Sequence, residues 1–358
     1  MVLPDTMRAV VLTGHGGLDK LEYRDNLAVP DPALGEVLIE VAACGMNNTD
    51  INTRIGWYSK SVTGATGEAL AGPDEDGSWG GGLTFPRVQG ADPAGRIVAV
   101  GAGVALDRIG ERVLVDAWVR DPGGDLAKAG YLGSERDGGY AEYVAVPAAN
   151  AHRLNTELSD VELASFPCSY ATAEHMLERA GVRSGQWVLV SGASGGVGGA
   201  LIQLAKRRGA RVAAITSAGK MAAVEAIGAD VVLDRGDSRL DIAVLDATGG
   251  VDVFADVVGG DWFAPLLEVI RRGGHYTTAG AVGGPIVPLD LRTLYLNDLT
   301  LHGATVLPPE VFANLIKYIE GGEIKPIVAG TFPLIELRRA QEAFAAGDRV
   351  GSFVIEIQ

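Results

Sequence analysis

From Met7 to Val146 the apolar residues come in short runs, many alternating with polar ones and bounded by Gly or Pro: MRAVVL, EVLIEVAA, AGRIVAV, RVLVDAW, AEYVAVP. Side chains on a strand switch faces at every residue, so this rhythm predicts an all-β unit. Residues 59–84 (SKSVTGATGEALAGPDEDGSWGGGLT) show no period and predict a long loop, either a surface excursion or a lid. After Ala149 the spacing turns helical. SDVELASFPCSYATAEHMLERAGV opens on Ser159 with Glu162 three residues on, a reciprocal capping pattern that predicts a helix leading into a second unit. There WVLVSGA, RVAAIT, VVLD, VDVFADVV, HYTTAG and LTLHGAT alternate with helical stretches. That rhythm predicts an α/β unit with a doubly wound parallel sheet, and the near-continuous apolar strands fit burial on both faces. From Glu310 a further helix and extended segments ending in GSFVIEI predict a return to the first unit's sheet.

Length changes the picture first: 358 residues exceed what one core commonly supports, so two domains are expected. A formal charge of -15 repels nucleic acid and anionic lipid, and no basic patch reverses it, so neither is expected as a partner. Cys44 and Cys168 are the only cysteines, too few for a disulfide framework and suited to a reducing compartment. No run of about 18 uncharged apolar residues occurs. The N-terminus carries no secretory pattern, so the expectation is a soluble, cytoplasmic protein without a membrane partner.

The segment VLVSGASGGVGGALIQLAKRRGA sets Gly192, Gly195 and Gly198 between an apolar strand and an apolar helix. Glycines alone would say only that the chain turns. A strand, a tight turn, a helix N-terminus and a second strand together form a cradle for the pyrophosphate of a dinucleotide. The second strand, RVAAIT, ends in Thr216-Ser217-Ala218-Gly219-Lys220, where gripping the ribose hydroxyls of NAD would call for a carboxylate. An acid about 4 Å from a 2′-phosphate would cost roughly 4 kcal/mol at an effective dielectric near 20, whereas hydroxyl and ammonium groups attract it. The sequence therefore predicts NADPH, with Ser217 and Lys220 on its phosphate; the plainer reading of Lys220 is an ordinary solvated lysine.

Together with GEVLIEVAACGMNNTDINTRIGWYS, FPRVQGADPAGRIVAVG, GGYAEYVAVP, DVVGG, GGHYTTAGAVGG and AQEAFAAGDRVGSFVI, these residues resemble the medium-chain dehydrogenase/reductase superfamily over nearly the whole chain. Within it the resemblance is to the zinc-free quinone oxidoreductase and enoyl reductase branch. It implies a mainly β GroES-like catalytic domain, residues 1–168 and 310–358, around a Rossmann domain, residues 169–309, and a homodimer paired through the strand around Leu301. It also implies cofactor contacts at Thr172, at Gly192, Ser194, Gly195, Gly196, Val197 and Gly198, and at Val258, Gly280 and Ala281, besides Ser217 and Lys220. Zinc enzymes of the superfamily carry Cys and His where this chain has Asn47 and Asn48, and a His-Glu pair where it has Ala91 and Asp92. Cys168 matches the remaining cysteine ligand, but one thiol and one carboxylate do not make a zinc site, and a packing role is expected for it. None of His15, His152, His175, His275 and His302 has ligand spacing, so no metal is expected.

Without a Lewis acid, conjugate reduction of an enone, a quinone or an enoyl thioester is easier than reduction of a plain ketone. In the enoyl reductase branch a tyrosine follows the stretch matched here by DINTRIGWY, which makes Tyr58 the expected proton donor or enolate stabiliser; a loop-mouth packing role is the alternative. Asn47 resembles the asparagine that replaces a metal ligand in zinc-free relatives and is expected to orient nicotinamide or substrate. Thr49 and Asp50 fit a structural or a catalytic role equally. Trp57 and Trp79 flank the long loop and could stack on a flat substrate. Two rival functions stay open: an NADPH-linked carbonyl or alcohol dehydrogenase, and a non-catalytic NADPH-binding protein.

Overall fold

The computed structural model describes residues 3–67 and 83–357. In chain order, β1 (Thr6–Leu12) and β2 (Leu21–Ala28) form a hairpin, and β3 (Glu36–Gly45) leads into helix α1 (Asn48–Ile55). Then come β4 (Arg87–Val88), β5 (Asp92–Val100), β6 (Arg112–Val115), the short ribbon of β7 (Trp118–Val119) and β8 (Gly130–Tyr131), β9 (Tyr143–Pro147) and β10 (Ala151–Arg153). Helices α2 (Asp160–Ala164) and α3 (Pro167–Arg179) link this part to an alternating series. That series runs β11 (Trp187–Val190), α4 (Gly196–Arg207), β12 (Arg211–Thr216), α5 (Met221–Ile227), β13 (Val231–Asp234), α6 (Leu240–Thr248), β14 (Val251–Asp256), α7 (Phe263–Leu267), β15 (Ile270–Thr278), α8 (Leu291–Leu296) and β16 (Thr300–Gly303). The tail supplies α9 (Pro309–Glu320), β17 (Val328–Pro333), α10 (Leu337–Ala346) and β18 (Ser352–Glu356).

Two sheets organise the molecule. In the second, the order β13-β12-β11-β14-β15-β16 is parallel throughout, so the chain winds outward in both directions from β11 and β14. That is the doubly wound Rossmann arrangement. Strand side chains alternate between two cores: Val188, Val190, Val212 and Ala214 join one cluster, while Leu189, Ala213, Ile215 and Phe254 join the other. In the first sheet β18 lies antiparallel against β3, with β17 parallel beside it, so the tail completes the GroES-like sheet as the sequence suggested.

Two expectations need correction. The first unit is not all β: α1 follows β3, although NTDINTRI has no apolar stripe. Its ends specify it, because the Asn47 N–H donates to Asp50 Oδ2 (2.8 Å) and Gly56 closes the helix at φ 71°. The helix after Ala149 is two helices. Ser159 and Glu162 do cap the first reciprocally (2.8 and 3.2 Å), but Pro167 cannot continue it and instead starts α3. Of the 59–84 stretch, residues 59–67 and 83–84 are described; Trp79 and residues 68–82 lie outside the described residues. No helix among the described residues is long and apolar enough to cross a membrane.

Candidate active site

The C-terminal ends of β11, β12, β14 and β15 share one rim of the parallel sheet, and most of the cofactor residues expected from sequence follow those ends. After β11 the chain turns at Gly192 (φ 59°), and α4 begins one residue after Gly195. A Cβ on Gly198 would drive into the Gly192 carbonyl, and one on Gly196 would meet the hydroxyls of Ser169 and Ser352. The first-turn N–H groups of Gly196, Val197 and Gly198 have no carbonyl partner earlier in the helix, which suits them to an anion. The Ser194 carbonyl accepts from Gly351 N–H (2.9 Å), tying the tail to this loop. Beyond β14 and β15 the chain is laced together: Val282 N–H donates to Val257 O and Gly283 N–H to Val258 O (2.7 Å), beside Gly280 and Ala281. Asp256 holds that loop by accepting from Ser191, Tyr276 and the Val258 and Gly259 N–H groups. From the first domain, Thr66 N–H reaches Val282 O (3.0 Å).

At the end of β12, Ser217 precedes the single turn Ala218–Lys220, and its backbone carbonyl accepts from Lys220 N–H (2.9 Å). The Lys220 ammonium donates to the Gly347 carbonyl, and its pKa is lowered by burial and by nearby Arg235 and Arg349, against the opposing pull of Asp348. Sequence reasoning missed both arginines. Arg349 lies over the Phe344 ring at 3.4 Å, donates to Phe344 O (2.6 Å) and leaves Nε buried without a partner. Burial lowers its pKa to about 10. Gathered cations with an orphaned donor fit a phosphate group. Arg349 comes from the tail, which was expected to return to the first unit's sheet and not to this rim.

Asn47 sits where the two domains meet. Its Nδ2 donates to Asp92 Oδ2 (2.9 Å) and its Oδ1 accepts from Ser169 Oγ (3.3 Å), while Asp92 Oδ1 accepts from Cys168 N–H (3.0 Å). The amide is thus engaged at both ends and braces β5 against α3. Burial raises the pKa of Asp92 well above the carboxylate range, opposed chiefly by Asn47. Asp50 is also pushed up by burial, to about 6, while Asn47 N–H, the Tyr140 hydroxyl (2.9 Å) and Gly90 N–H favour its charged form. Its role is to knit α1 to the loop before β5.

Tyr58 follows α1, edge-on to Trp57 and with Thr49 and Asn52 as polar neighbours. Burial raises its pKa well above that of an ordinary phenol, so it stays protonated at neutral pH. Trp57 is anchored through Nε1 to Gly64 O (3.1 Å). Near this cluster a cavity is lined by Trp118, Tyr131, Cys168, Thr172, Leu307 and Phe312, among others. Cys168, for which a packing role is expected, is one of the residues lining this cavity, and burial raises the pKa of its thiol.

Family models match both halves of the chain: the alcohol dehydrogenase GroES-like domain over residues 33–156 and the zinc-binding dehydrogenase over residues 196–321. Among curated relatives, the 2-methylene-furan-3-one reductase of Solanum lycopersicum is 30% identical over 99% of this chain and 80% of its own length. The chain belongs to the medium-chain dehydrogenase/reductase superfamily. Membership makes it a nicotinamide-dependent oxidoreductase of small molecules. It is also similar to the acryloyl-coenzyme A reductase of Metallosphaera sedula, 29% identical over 98% of the chain and 99% of the relative. A solved structure from Sinorhizobium meliloti 1021, provisionally assigned as an alcohol dehydrogenase, is 52% identical with a TM-score of 0.91, covering 99% of this chain and 97% of the other. The description of the second family model implies zinc, but the donors do not fit it. The Asn47 amide is bonded to the Asp92 carboxylate, whose other oxygen accepts from the Cys168 backbone N–H, and among the described residues no three of His, Cys, Asp and Glu could hold a metal ion.

Proposed function

We propose that this medium-chain reductase works without zinc and uses NADPH to reduce a quinone or an activated alkene, an enone or enoyl thioester, with Tyr58 as proton donor. The observation that carries this reading is the brace at the metal position, where an amide locked between Asp92 and Ser169 replaces a ligand, with a neutral phenol nearby. NADPH, when bound, supplies hydride. The residues that would hold it are the Gly192–Gly198 turn under the pyrophosphate, Ser217 and Lys220 with Arg235 and Arg349 at the 2′-phosphate, and Thr172, Val258, Gly280 and Ala281 nearer the reacting ring. Two of the relatives are named for activated alkenes, a methylene-furanone and acryloyl-coenzyme A, which supports the substrate class.

The assay follows NADPH oxidation with a quinone, an alkenone, an enoyl thioester and a saturated aldehyde. Turnover of at least one activated acceptor is expected, with Tyr58→Phe lowering kcat by about 100-fold. Turnover of the saturated aldehyde alone would turn the reading to a carbonyl reductase, and tight NADPH binding without turnover to a binding protein. The domain limits we propose remain 1–168 with 310–358 and 169–309. We also propose a homodimer formed edge to edge through β16, whose Leu301 is exposed near Leu291, Tyr295 and Leu296.

A further inference from the structure

The cavity beside Cys168 is closed by a wall drawn from three parts of the chain. Cys168 and Ala171 border it from α3, Trp118 and Tyr131 from the β7–β8 ribbon, and Leu307 and Phe312 from the approach to α9 and its first turn. The ribbon and α9 side chains are buried, and the space left between them has room for about one water. Helix α3 sets this space next to the candidate chemistry. The Cys168 N–H is held by Asp92 in the brace at the metal position (3.0 Å), and the hydroxyl of Ser169, the next residue, lies where a Cβ on Gly196 would fall. The wall is also tied. Arg120 Nη1 donates to Asp116 Oδ2 (2.7 Å) and Trp118 O (2.9 Å), while its Nε donates to Leu307 O (2.7 Å), so one guanidinium joins the ribbon to the approach to α9. Trp118 packs on Tyr131 with ring centroids 4.7 Å apart, and Phe312 on the His152 ring at 4.9 Å. A longer occupant would have to part charge-assisted bonds or force packed rings aside, and a close-packed interior resists both.

We infer that this wall sets the size of the acceptor: the substrate is a short conjugated carbonyl compound, of the acryloyl or crotonyl kind, whose β-carbon carries hydrogen or a methyl group and points into the cavity. This deepens the reading of the chain as a reductase of activated alkenes and rests on it. The carrier arm of an enoyl thioester far exceeds a space for one water, so the arm leaves through the mouth of the cleft. The opposite end of the acceptor, the β-substituent, then faces the wall. A methyl group is close to water in size and suits a surface made of Leu307, Phe312 and Trp118. A propyl group finds no room for its two further carbons.

The test is steady-state reduction of acryloyl, crotonyl and trans-hexenoyl coenzyme A by the full chain with NADPH. If ketones prove the better acceptors, the vinyl, propenyl and pentenyl phenyl ketones replace them, since a phenyl group is likewise too large for the cavity. From the methyl to the propyl substituent kcat/KM should fall about 100-fold or more, the scale on which a pocket rejects surplus methylenes. Leu307→Ala, which deepens the cavity, should narrow that gap about 10-fold, and Ala171→Leu, which fills it, should lower the crotonyl value about 10-fold relative to the acryloyl one. If either variant fails to fold, Leu307→Val and Ala171→Val must move the same ratios in the same directions. Equal efficiency of the wild type with the propyl-bearing acceptor, or ratios indifferent to both positions, overturns the inference. Reduction of quinones alone sinks this inference and leaves the proposed function standing. A chain that reduces none of these acceptors sinks both.

Discussion

Arg349 spends its planar face on Phe344 and one nitrogen on a carbonyl, yet keeps Nε buried and unpartnered next to Lys220. A charge-assisted contact contributes about 1.5–3 kcal/mol, so Lys220→Ala or Arg349→Gln should raise the KM for NADPH about 10- to 100-fold and leave that for NADH nearly unchanged in steady-state kinetics. Equal losses with both cofactors would place these cations elsewhere. His175 gives a second prediction. It is buried with neither ring nitrogen partnered, and burial, Arg179 and Arg120 lower its pKa from 6.5 to about 4. The folded form thus binds fewer protons than the unfolded one in that window, so stability is complete above about pH 6.5 and is lost as pH falls toward 4. Asp50, raised to about 6, acts with the opposite sign, losing stability as pH climbs from about 4 to 6. Melting temperatures of His175→Phe relative to wild type should therefore rise steadily as pH drops from 6.5 to 4; a flat difference would show that the imidazole does not titrate there. Among these residues Lys220 was legible because it closes a local motif. Arg235 and Arg349 were not, since neither lies within that motif and neither carries a spacing signal.

At the scale of elements, the strand, turn and helix around Gly192–Gly198 could be read directly because propensity, period and glycine placement agree. A Gly198→Ala variant should lower stability by about 1–3 kcal/mol, since its Cβ meets the Gly192 carbonyl of a packed turn, and should weaken dinucleotide binding measured by calorimetry. Unchanged affinity would argue against the turn as the cradle. The same method failed at α1, whose run of Asn and Thr lacks an apolar face and whose boundaries come from Asn47, Asp50 and Gly56. It was silent at β8, because two residues cannot display a period. The misread helix is flanked by the candidate catalytic residues Asn47 and Tyr58, where local pattern is subordinated to the site.

For the whole molecule, the sequence conveyed the alternation that makes the parallel sheet and the return of the tail, but not how closely the two sheets are sewn together at Asn47, Ser169 and Gly196. An exposed edge strand beside exposed apolar side chains invites a second copy. Leu301→Lys should convert a dimer into monomers in light scattering after gel filtration, and an unchanged mass would remove β16 from the interface. The placement of β18 between β3 and β17 has a consequence for biosynthesis. More than three hundred residues separate β3 from β18, so on the ribosome the Ala43–Gly45 end of β3, beyond the part paired with β9, must wait uncovered while the nucleotide-binding half is translated and can already fold. Chaperone demand should therefore concentrate on the earliest-made part of the polypeptide, and nascent chains stalled before Ser352 should be cut by protease there while their middle third resists.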